Sequence, residues 1–331
     1  MEAGNICVLG AGSWGTALAI LLAQQGKQST LWAHSNDHVQ QLINDRSNER
    51  YLSGIHFPDS LILEPKLEQA VKSADTILIS VPSHAFREIL KNIKPHLNHQ
   101  KIAWASKGLE AESHKLLSQV AHEELGNEFS FAVVSGPTFA REVAMGLPTA
   151  ITVASTDDVL AKNLAQRLHT DTFRAYTCDD IIGVQIGGAV KNVLAIAAGI
   201  ADGLGFGANT RTALITRGLA EMSRLGHQLG AEQMTFMGLA GLGDLVLTCT
   251  DDQSRNRRFG KALAAGSSPE QAFEEIQQVV EGALTAKVIH EFAGELNVDM
   301  PICEQVYRVI YDDLPAKQAV IELLERRQKA E

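Results

Sequence analysis

Residues 5–26 read NICVLGAGSWGTALAILLAQQG, and this stretch decides the fold of the first half of the chain. The apolar run 5–9 predicts a short strand, and the run 16–26 predicts a helix that ends at Gly26. Between them lies a GxGxxG turn, which is typical of dinucleotide-binding sites when it follows a strand and opens a helix. The alternative interpretation is a glycine-rich turn that binds nothing, but the strand–turn–helix context favours a binding site.

The three glycines of this turn have different predicted roles. Gly10 permits the tight turn, Gly12 lets a pyrophosphate approach the backbone, and Gly15 lets the helix pack on the strand. The N-terminus of the helix would offer N–H groups and a partial positive charge to the phosphates. We therefore expect these three residues to form part of a cofactor site.

The second predicted strand, STLWAH (29–34), ends where an NAD-selective site usually has Asp or Glu to bind the ribose 2′-hydroxyl. This chain has His34 and Ser35 there, so no local carboxylate repels a 2′-phosphate. We therefore expect NADP as the cofactor, with NAD also admitted. Arg46 and Arg50 are candidate helpers that the sequence alone does not place.

Strand and helix patterns alternate through the first half of the chain. Apolar runs predict further strands at 61–64, 75–83, 101–108, 130–137, 148–155 and 172–177. Helical patterns separate several of them, at 84–97 and 113–125. This alternation predicts a Rossmann-type, doubly wound and mostly parallel α/β sheet.

Ligands of such sheets bind beyond the carboxyl ends of the strands. Four predicted loops share that edge, at 10–15, 81–83, 106–108 and 135–138. Lys107 is the charged residue of interest among them. The alternative is a solvated lysine at the end of a strand, and this segment alone does not decide between the two.

Residues 181–204 predict a helix that is apolar on nearly every side and therefore buried. Lys191 lies in its middle beside Asn192, and a buried lysine is unfavourable unless it is paired or neutral. Small residues such as Gly187 and Gly188 share the lysine face, which would leave room for a ligand beside the amine. Alternatively, Lys191 reaches the surface or meets a structural carboxylate. A membrane span is disfavoured, because polar residues interrupt the run.

Strand patterns stop near residue 180, and helix patterns follow at 210–228, 254–265, 269–277, 282–296 and 302–327. We therefore expect a dinucleotide-binding domain at 1–180 and an all-helical, substrate-binding domain at 181–331. Within the second, Asp244 and Thr248 are four residues apart, which places them on one face of a helix.

Residues 251–258, DDQSRNRR, open a predicted helix with Ser254 or Asp252 as its N-cap. Arginines in a first turn oppose the helix dipole, and a bound phosphate would reverse that penalty. The segment is therefore a candidate anion site. The alternative is that the adjacent aspartates neutralise the arginines on a solvated surface.

Composition excludes several other classes of protein. The chain has 331 residues and a net charge of −10, with no basic footprint for nucleic acid. Its four cysteines are far apart, so we expect reduced, buried thiols in a cytoplasmic protein and neither disulfides nor a metal site. We see no signal peptide. A homodimer is allowed by the sequence but not specified by it.

The motifs GAGSWGTALA, VPSH, ASKGLE, SGPTFA, GGAVKNV, GFGANTRTALITRG, GLAGLGDLVLTCT, SRNRRFG and VVEG together closely resemble the bacterial NAD(P)-dependent sn-glycerol-3-phosphate dehydrogenases. The resemblance runs from about residue 5 to residue 325. It implies reversible reduction of dihydroxyacetone phosphate to sn-glycerol 3-phosphate, a precursor of phospholipids.

The resemblance also implies which residues bind each ligand. Those that would touch the dinucleotide are Ser13, Trp14, His34, Lys107, Ala140, Arg255, Val279 and Glu281. Those that would hold the phosphate substrate are Lys107, Gly136, Thr138, Lys191, Asp244, Ser254, Arg255 and Asn256.

The same resemblance makes Lys191 the acid/base of the reaction. Burial would bring the pKa of Lys191 towards the operating pH, and Asp244 would orient the amine. Asn192 and Thr248 would bond substrate oxygens, and Arg255 would clamp the phosphate.

Two other functions stay open at this point. A related hydroxyacid dehydrogenase would take a carboxylate substrate, and matched phosphate and carboxylate substrates separate it. A non-enzymatic NADP sensor would need no buried lysine, and an absorbance assay of nicotinamide turnover separates it. A sugar-nucleotide dehydrogenase would need a catalytic cysteine, and no cysteine here lies in a recognisable site.

Overall fold

The computed structural model describes residues 4–24, 26 and 28–326. The chain forms two compact units. The first contains the residues up to Lys107 together with Leu117–Ile181, and the second contains Gly108–Leu116 and the residues from Ile182 onward. Gln25 of the predicted first helix and residue 327, the predicted end of the last helix, lie outside the described residues.

The strands of the described chain all lie in the first unit. They are β1 (Ile6–Leu9), β2 (Ser29–Trp32), β3 (Ser47–Asn48), β4 (Ser53–His56), β5 (Leu61–Leu63), β6 (Thr76–Ile79), β7 (Lys101–Trp104), β8 (Phe131–Ser135), β9 (Thr149–Ala154) and β10 (Phe173–Cys178). Eight of them form one sheet in the order β10-β9-β8-β7-β6-β1-β2-β5. Every neighbouring pair in it is parallel except β8 with β9, so the predicted mostly parallel sheet is confirmed.

Helices follow most of these strands. In the first unit they are α1 (Ser13–Gln24), α2 (Asn36–Asp45), α3 (Glu49–Leu52), α4 (Leu67–Lys72), α5 (Phe86–Ile93), α6 (Leu117–Leu125), α7 (Ala140–Ala144) and α8 (Asp158–Leu168). One-turn 3₁₀ helices, Ser83–Ala85 and Lys94–His96, flank α5. The core of this unit lies between the sheet and its helices, and α1 is buried along most of its length.

The regular elements of the described second unit are helical, as predicted. They are α9 (Ile181–Gly203), α10 (Ala208–Gln228), α11 (Gln233–Phe236), a π-helical segment (Leu239–Gly243), α12 (Asp244–Thr250), α13 (Arg255–Ala264), α14 (Pro269–Ile276), α15 (Glu281–Glu295), α16 (Pro301–Tyr311) and α17 (Ala316–Leu324). A single isolated bridge joins Leu109 to Leu116.

Three predictions about elements were wrong or incomplete. The helix pattern at 302–327 is two helices, because Pro315 has no N–H to donate and Asp313 adopts a left-handed φ of 53°. The helix predicted at 113–125 begins only at Leu117, since His114 also has a positive φ. The antiparallel pair of β3 and β4 was missed, because its strands are too short and polar to give a periodic signal.

Helix α9 is the centre of the second unit. Every residue from Gly183 to Ala201 is buried, so the predicted burial is confirmed. Among the described helices, α9 has the length and apolar character of a membrane span, but its surroundings in this unit are those of a core helix.

Glycines let the neighbours of α9 approach its backbone closely. A Cβ at Gly187 would collide with the Ala240 carbonyl of the π-helical segment. A Cβ at Gly199 would collide with the Arg257 carbonyl of α13, and one at Gly260 with the Ile196 carbonyl. The π-helical segment and α13 therefore pack backbone against backbone on α9.

Glu221 of α10 is a carboxylate inside this apolar core, with 1% of its surface exposed. It accepts hydrogen bonds from the Ile302 N–H at 2.7 Å and the Cys303 N–H at 3.2 Å, and so satisfies the N-terminus of α16. Burial raises the pKa of Glu221 from 4.5 to about 7, although these hydrogen bonds act in the opposite sense.

We expect the free energy of unfolding to depend on Glu221 between pH 4.5 and 7. The folded state keeps the proton over that window while the unfolded chain loses it, so stability falls as the pH rises. The full effect is up to about 3 kcal/mol. Glu221→Gln keeps an acceptor for Ile302 without the charge, so its melting temperature should fall less between pH 5 and pH 8 than that of the wild type.

The exposed Glu274→Gln on α14 is the matched control for the loss of one carboxyl group. It should keep the wild-type dependence of melting temperature on pH. Identical pH profiles for Glu221→Gln and the wild type would show that Glu221 does not titrate in this range.

Candidate active site

The GxGxxG turn connects β1 to α1 at the carboxyl edge of the sheet. The Gly10 N–H donates to the Trp32 carbonyl at 2.9 Å, which ties the turn to β2. Gly10 has a φ of 119°, and a Cβ there would collide with the Ser80 carbonyl. A Cβ at Gly15 would collide with the Gly10 carbonyl. The sequence therefore needs glycine at both positions for the turn itself.

Gly12 differs, because no atom of the described chain beyond Gly12 and its two neighbours lies within 4 Å of the place where its Cβ would be. Glycine there serves no packing need of the described chain, but it leaves the backbone open to a ligand. Nearby in the chain, the Trp14 Nε1 is buried without a hydrogen-bond partner. An open backbone at a helix N-terminus fits the pyrophosphate of a dinucleotide.

The end of β2 leads into an exposed segment. His34 and Ser35 are both exposed, and the Ser35 Oγ accepts the His38 N–H at 3.3 Å as the N-cap of α2. Arg46 is not available to a 2′-phosphate, because its guanidinium donates to the Pro58 carbonyl at 2.6 Å and the Leu61 carbonyl at 3.1 Å.

Arg50 is exposed, with its guanidinium carbon 5.1 Å from the centre of the Tyr51 ring. Of the two arginines that the sequence offered at this end of the site, Arg50 is thus the one that a ligand can reach.

Lys107, Gly136 and Thr138 meet because β7 and β8 are parallel neighbours that end at the same edge. The Lys107 Nζ donates to the Gly136 carbonyl at 3.4 Å, and the Thr138 Oγ1 donates to the same oxygen at 3.3 Å. Ala140 begins α7 just beyond them and is half-buried. The structure therefore brings this predicted group together on one carbonyl.

Lys191 has its amine inside the second unit and is 7% exposed. Its Nζ donates to the Asp244 Oδ1 at 2.5 Å and to the Thr248 Oγ1 at 2.9 Å. Asp244 is completely buried, and the Thr248 hydroxyl lies 2.6 Å from the Asp244 carbonyl. The lysine therefore does not reach the surface but meets a buried carboxylate and a hydroxyl.

Gly187, one of the small residues on the Lys191 face, has a different role from the one expected. Gly187 does not leave space for a ligand, because the Ala240 carbonyl occupies the place of a side chain. This close approach brings the start of α12, and with it Asp244, to the amine. Gly241 of GLAGLGD permits a different close contact, since a Cβ there would collide with the Phe236 backbone of α11.

A chain of amide contacts links three helices of this unit. The Asn256 Nδ2 donates to the Asn192 Oδ1 at 2.9 Å, and the Asn256 Oδ1 accepts the Gly282 N–H at 2.9 Å. The Asn192 Nδ2 donates to the Gly188 carbonyl at 3.4 Å. Asn256 is therefore held in one orientation between α9 and α15, one residue after Arg255.

The candidate anion site is the first turn of α13. Ser254 is its N-cap, and its Oγ accepts the Arg257 N–H at 3.2 Å. Burial lowers the pKa of Arg255, while Glu281 acts in the opposite sense. Glu281 begins α15, and the nearby Val279 is exposed.

The three arginines of this turn have separate environments. Arg257 forms ion pairs with Asp252 and with Asp202, the latter at 2.6 Å. Arg258 is exposed, and Arg255 is half-buried beside Glu281. Neutralisation by a neighbouring aspartate thus holds for Arg257, whereas the carboxylate beside Arg255 is that of Glu281.

One residue near the turn was missed by sequence reasoning. Asn48 is buried, and its Nδ2 donates to the Ala11 carbonyl at 3.0 Å and to the Thr16 Oγ1 at 2.8 Å. The only available signal was a polar residue in a segment without periodicity, which does not indicate a long-range contact.

The cysteines and the acidic residues indicate no further reactive site in the described part of the chain. None of the four cysteines forms a disulfide, and Cys178 is partly exposed whereas the others are buried. Burial raises the pKa of Cys249 to about 12. No cluster of three or more His, Cys, Asp or Glu side chains with metal-binding geometry occurs among the described residues.

Comparison with known proteins gives consistent results over both units. Residues 5–161 match the family described as NAD-dependent glycerol-3-phosphate dehydrogenase N-terminus, and residues 180–321 match the corresponding C-terminus. Glycerol-3-phosphate dehydrogenase [NAD(P)+] of Pseudoalteromonas translucida is 57% identical over 328 residues, covering 98% of each chain.

Two solved structures have the same fold. Glycerol-3-phosphate dehydrogenase from Coxiella burnetii has a TM-score of 0.95 at 48% identity, covering 98% of this chain and 99% of that one. The yeast enzyme has a TM-score of 0.84 at 29% identity, covering 98% of this chain and all of that one. With the family matched over most of its length, this chain belongs to the NAD-dependent glycerol-3-phosphate dehydrogenases.

Proposed function

We propose that this chain reduces dihydroxyacetone phosphate to sn-glycerol 3-phosphate with NAD(P)H, and that Lys191 is the acid/base. The observation that carries the proposal is the amine of Lys191, which is buried and held by Asp244 and Thr248. An apolar pair of similar volume would often be at least as stable as a buried lysine–carboxylate pair, so the presence of this pair points to a chemical reason. Proton transfer to a substrate oxygen supplies that reason.

The proposed reaction moves one hydride and one proton. When bound, NAD(P)H supplies the hydride to C2 of the substrate. The Lys191 ammonium gives its proton to the C2 oxygen as charge develops there. Asp244 and Thr248 hold the amine in position and stabilise the ammonium that exists before the transfer.

The phosphate of the substrate would bind at the first turn of α13. Ser254 and Asn256 offer polar groups there, and the helix N-terminus adds N–H donors and a partial positive charge. The Arg255 guanidinium would form two parallel bonds with phosphate oxygens. Initial rates with dihydroxyacetone phosphate and each reduced nucleotide test this assignment, and a preference for carboxylate substrates would contradict it.

For the dinucleotide, we propose the turn at 10–15 as the pyrophosphate site and His34 at the ribose end. The absence of a carboxylate at 34 and 35 admits a 2′-phosphate. The exposed Arg50 guanidinium is a reachable cation at this end, whereas Arg46 is held by carbonyls. The chain would thus use NADP and also accept NAD.

The product would supply the glycerol phosphate backbone of phospholipids. A small phosphate ester and a dinucleotide are the partners that this site requires, and we place the reaction in the cytoplasm. A homodimer is compatible with this function but is not required by it.

Lys191→Met should lower kcat by roughly 10²–10⁴-fold, the usual contribution of proton transfer. The structure shows that the variant also leaves Asp244 buried and uncompensated, which destabilises the fold by about 3–5 kcal/mol. Lys191→Met combined with Asp244→Asn removes that charge, so the melting temperature should recover while turnover does not. Measurements of kcat, NADPH affinity and melting temperature on the wild type and both variants test this.

Near-normal turnover in the folded double variant would remove Lys191 from the mechanism. Loss of NADPH binding together with unfolding in that variant would instead assign the lysine a purely structural role.

Arg255→Ala should raise KM for dihydroxyacetone phosphate, since removing a charged partner from a partly buried site weakens binding by roughly 2–5 kcal/mol. Arg258→Ala is the matched control, because Arg258 lies in the same turn but is exposed. It should leave KM within about twofold of the wild type, the scale of a surface charge effect. Equal KM values for the two variants would place the anion site elsewhere.

Gly12→Val should abolish NADPH binding while leaving the melting temperature within a few degrees of the wild type. The side chain would enter space that is open in the protein but needed by the pyrophosphate. Gly15→Ala should instead lower the melting temperature, because its methyl group collides with the Gly10 carbonyl and destabilises the turn. Fluorescence titration and thermal unfolding distinguish the two effects.

A further inference from the structure

Asn48 lies behind the GxGxxG turn, and none of the roles proposed above involves it. It ends β3, is buried, and uses both hydrogens of its Nδ2. One goes to the Ala11 carbonyl at 3.0 Å and the other to the Thr16 Oγ1 at 2.8 Å. These bonds span 37 and 32 residues of sequence, so Asn48 reaches the turn only in the folded chain.

The bond to Ala11 determines the direction of the next N–H. A trans peptide is planar, and its C=O and N–H point in opposite directions. No cis peptide bond occurs in the described chain. Because the Ala11 carbonyl is directed inward to Asn48, the Gly12 N–H is directed outward.

The space beside the Gly12 Cα is also open. Apart from Gly12 itself and its two chain neighbours, no atom of the described chain lies within 4 Å of the position that a Gly12 Cβ would occupy. An N–H presented to such a space at the start of a helix is suited to an anionic oxygen. Without Asn48, the Ala11–Gly12 peptide could rotate and present its carbonyl oxygen to the ligand instead.

A second contact links Asn48 to the ribose end of the site. Its Oδ1 lies 3.3 Å from the His38 Nε2, which donates in the tautomer that carries hydrogen on Nε2. His38 is in the first turn of α2, where its own N–H donates to the Ser35 Oγ. Asn48 thus connects the phosphate turn with the helix that begins shortly after His34.

We propose that Asn48 is a positioning residue for the dinucleotide, which orients the Ala11–Gly12 peptide so that the Gly12 N–H binds the pyrophosphate. This inference rests on the proposed dinucleotide site at residues 10–15. The ligand class is a dinucleotide diphosphate, and Asn48 acts on it through the backbone without contact.

The test compares Asn48→Leu with Thr16→Val. Leucine has a shape close to that of asparagine and no donors, so it releases the Ala11 carbonyl. Valine at 16 removes only the second bond of Asn48 and leaves the Ala11 bond in place. The dissociation constant for NADPH is measured by fluorescence titration without substrate, together with melting temperature, KM for NADPH and kcat.

We expect Asn48→Leu to weaken NADPH binding by roughly 10- to 100-fold, the range for a missing hydrogen bond to a charged group. KM for NADPH should rise in parallel, while kcat at saturating coenzyme stays near the wild-type value. Thr16→Val should bind NADPH within about threefold of the wild type, even if it melts at a lower temperature. A merely structural role for Asn48 would instead make affinity follow stability in both variants.

The inference is overturned if folded Asn48→Leu binds NADPH like the wild type, or if Thr16→Val is weakened equally. If Asn48→Leu does not fold, Asn48→Ala decides by the same criteria, since it also lacks the donors and adds neither bulk nor charge. Gly12→Val in the same titration separates the two proposals. Unimpaired binding by that variant would refute the dinucleotide site itself, whereas abolished binding there with normal binding in the Asn48 variants would refute only the role of Asn48.

Discussion

The ion pair between Lys191 and Asp244 is the interaction that most restricts how the helices of the second unit pack. Both side chains are buried in an apolar environment, where an unpaired charge is strongly unfavourable. Each charge therefore requires the other as its partner. The Lys191 Nζ lies 2.5 Å from the Asp244 Oδ1. This requirement restricts how α12 can pack on α9, because a small displacement would leave two charges without compensation. The pair is thus at once a proposed reactive group and a constraint on the packing of its helices.

Close backbone packing is what makes this pair geometrically possible. Gly187 leaves no room for a ligand, contrary to the expectation from the sequence, but admits the π-helical segment to the surface of α9, as Gly199 admits α13. The π-helical segment is followed directly by Asp244. The contact at Gly199 is made by α13, whose first residue is Arg255. Asn256 adds directional hydrogen bonds to α9 and α15. One buried helix therefore organises both the proposed acid/base and the proposed phosphate site.

The proposed dinucleotide site of the first unit has a different physical requirement, which is that backbone N–H groups stay open to a diphosphate. Gly10 and Gly15 are needed for the turn, whereas Gly12 leaves space. The turn is tied at one side by the Trp32 carbonyl and from behind by Asn48. Separate residues thus provide the shape of the turn, access to it and the orientation of its donors.

Much of the fold followed from the sequence, because periodic apolar runs and the GxGxxG turn depend on local geometry. The mostly parallel sheet, the helical second half and the burial of α9 were all predicted correctly. Asp244 and Thr248 could be placed on one helical face by their spacing, but only the tertiary structure brought that face to Lys191. It also separated the arginines of α13, pairing Arg257 with aspartates and leaving Arg255 beside Glu281, and it revealed Asn48 behind the turn. Apart from the pair of Arg257 with Asp252, these contacts join residues that are distant in the chain, and no local periodicity encodes which of them will meet.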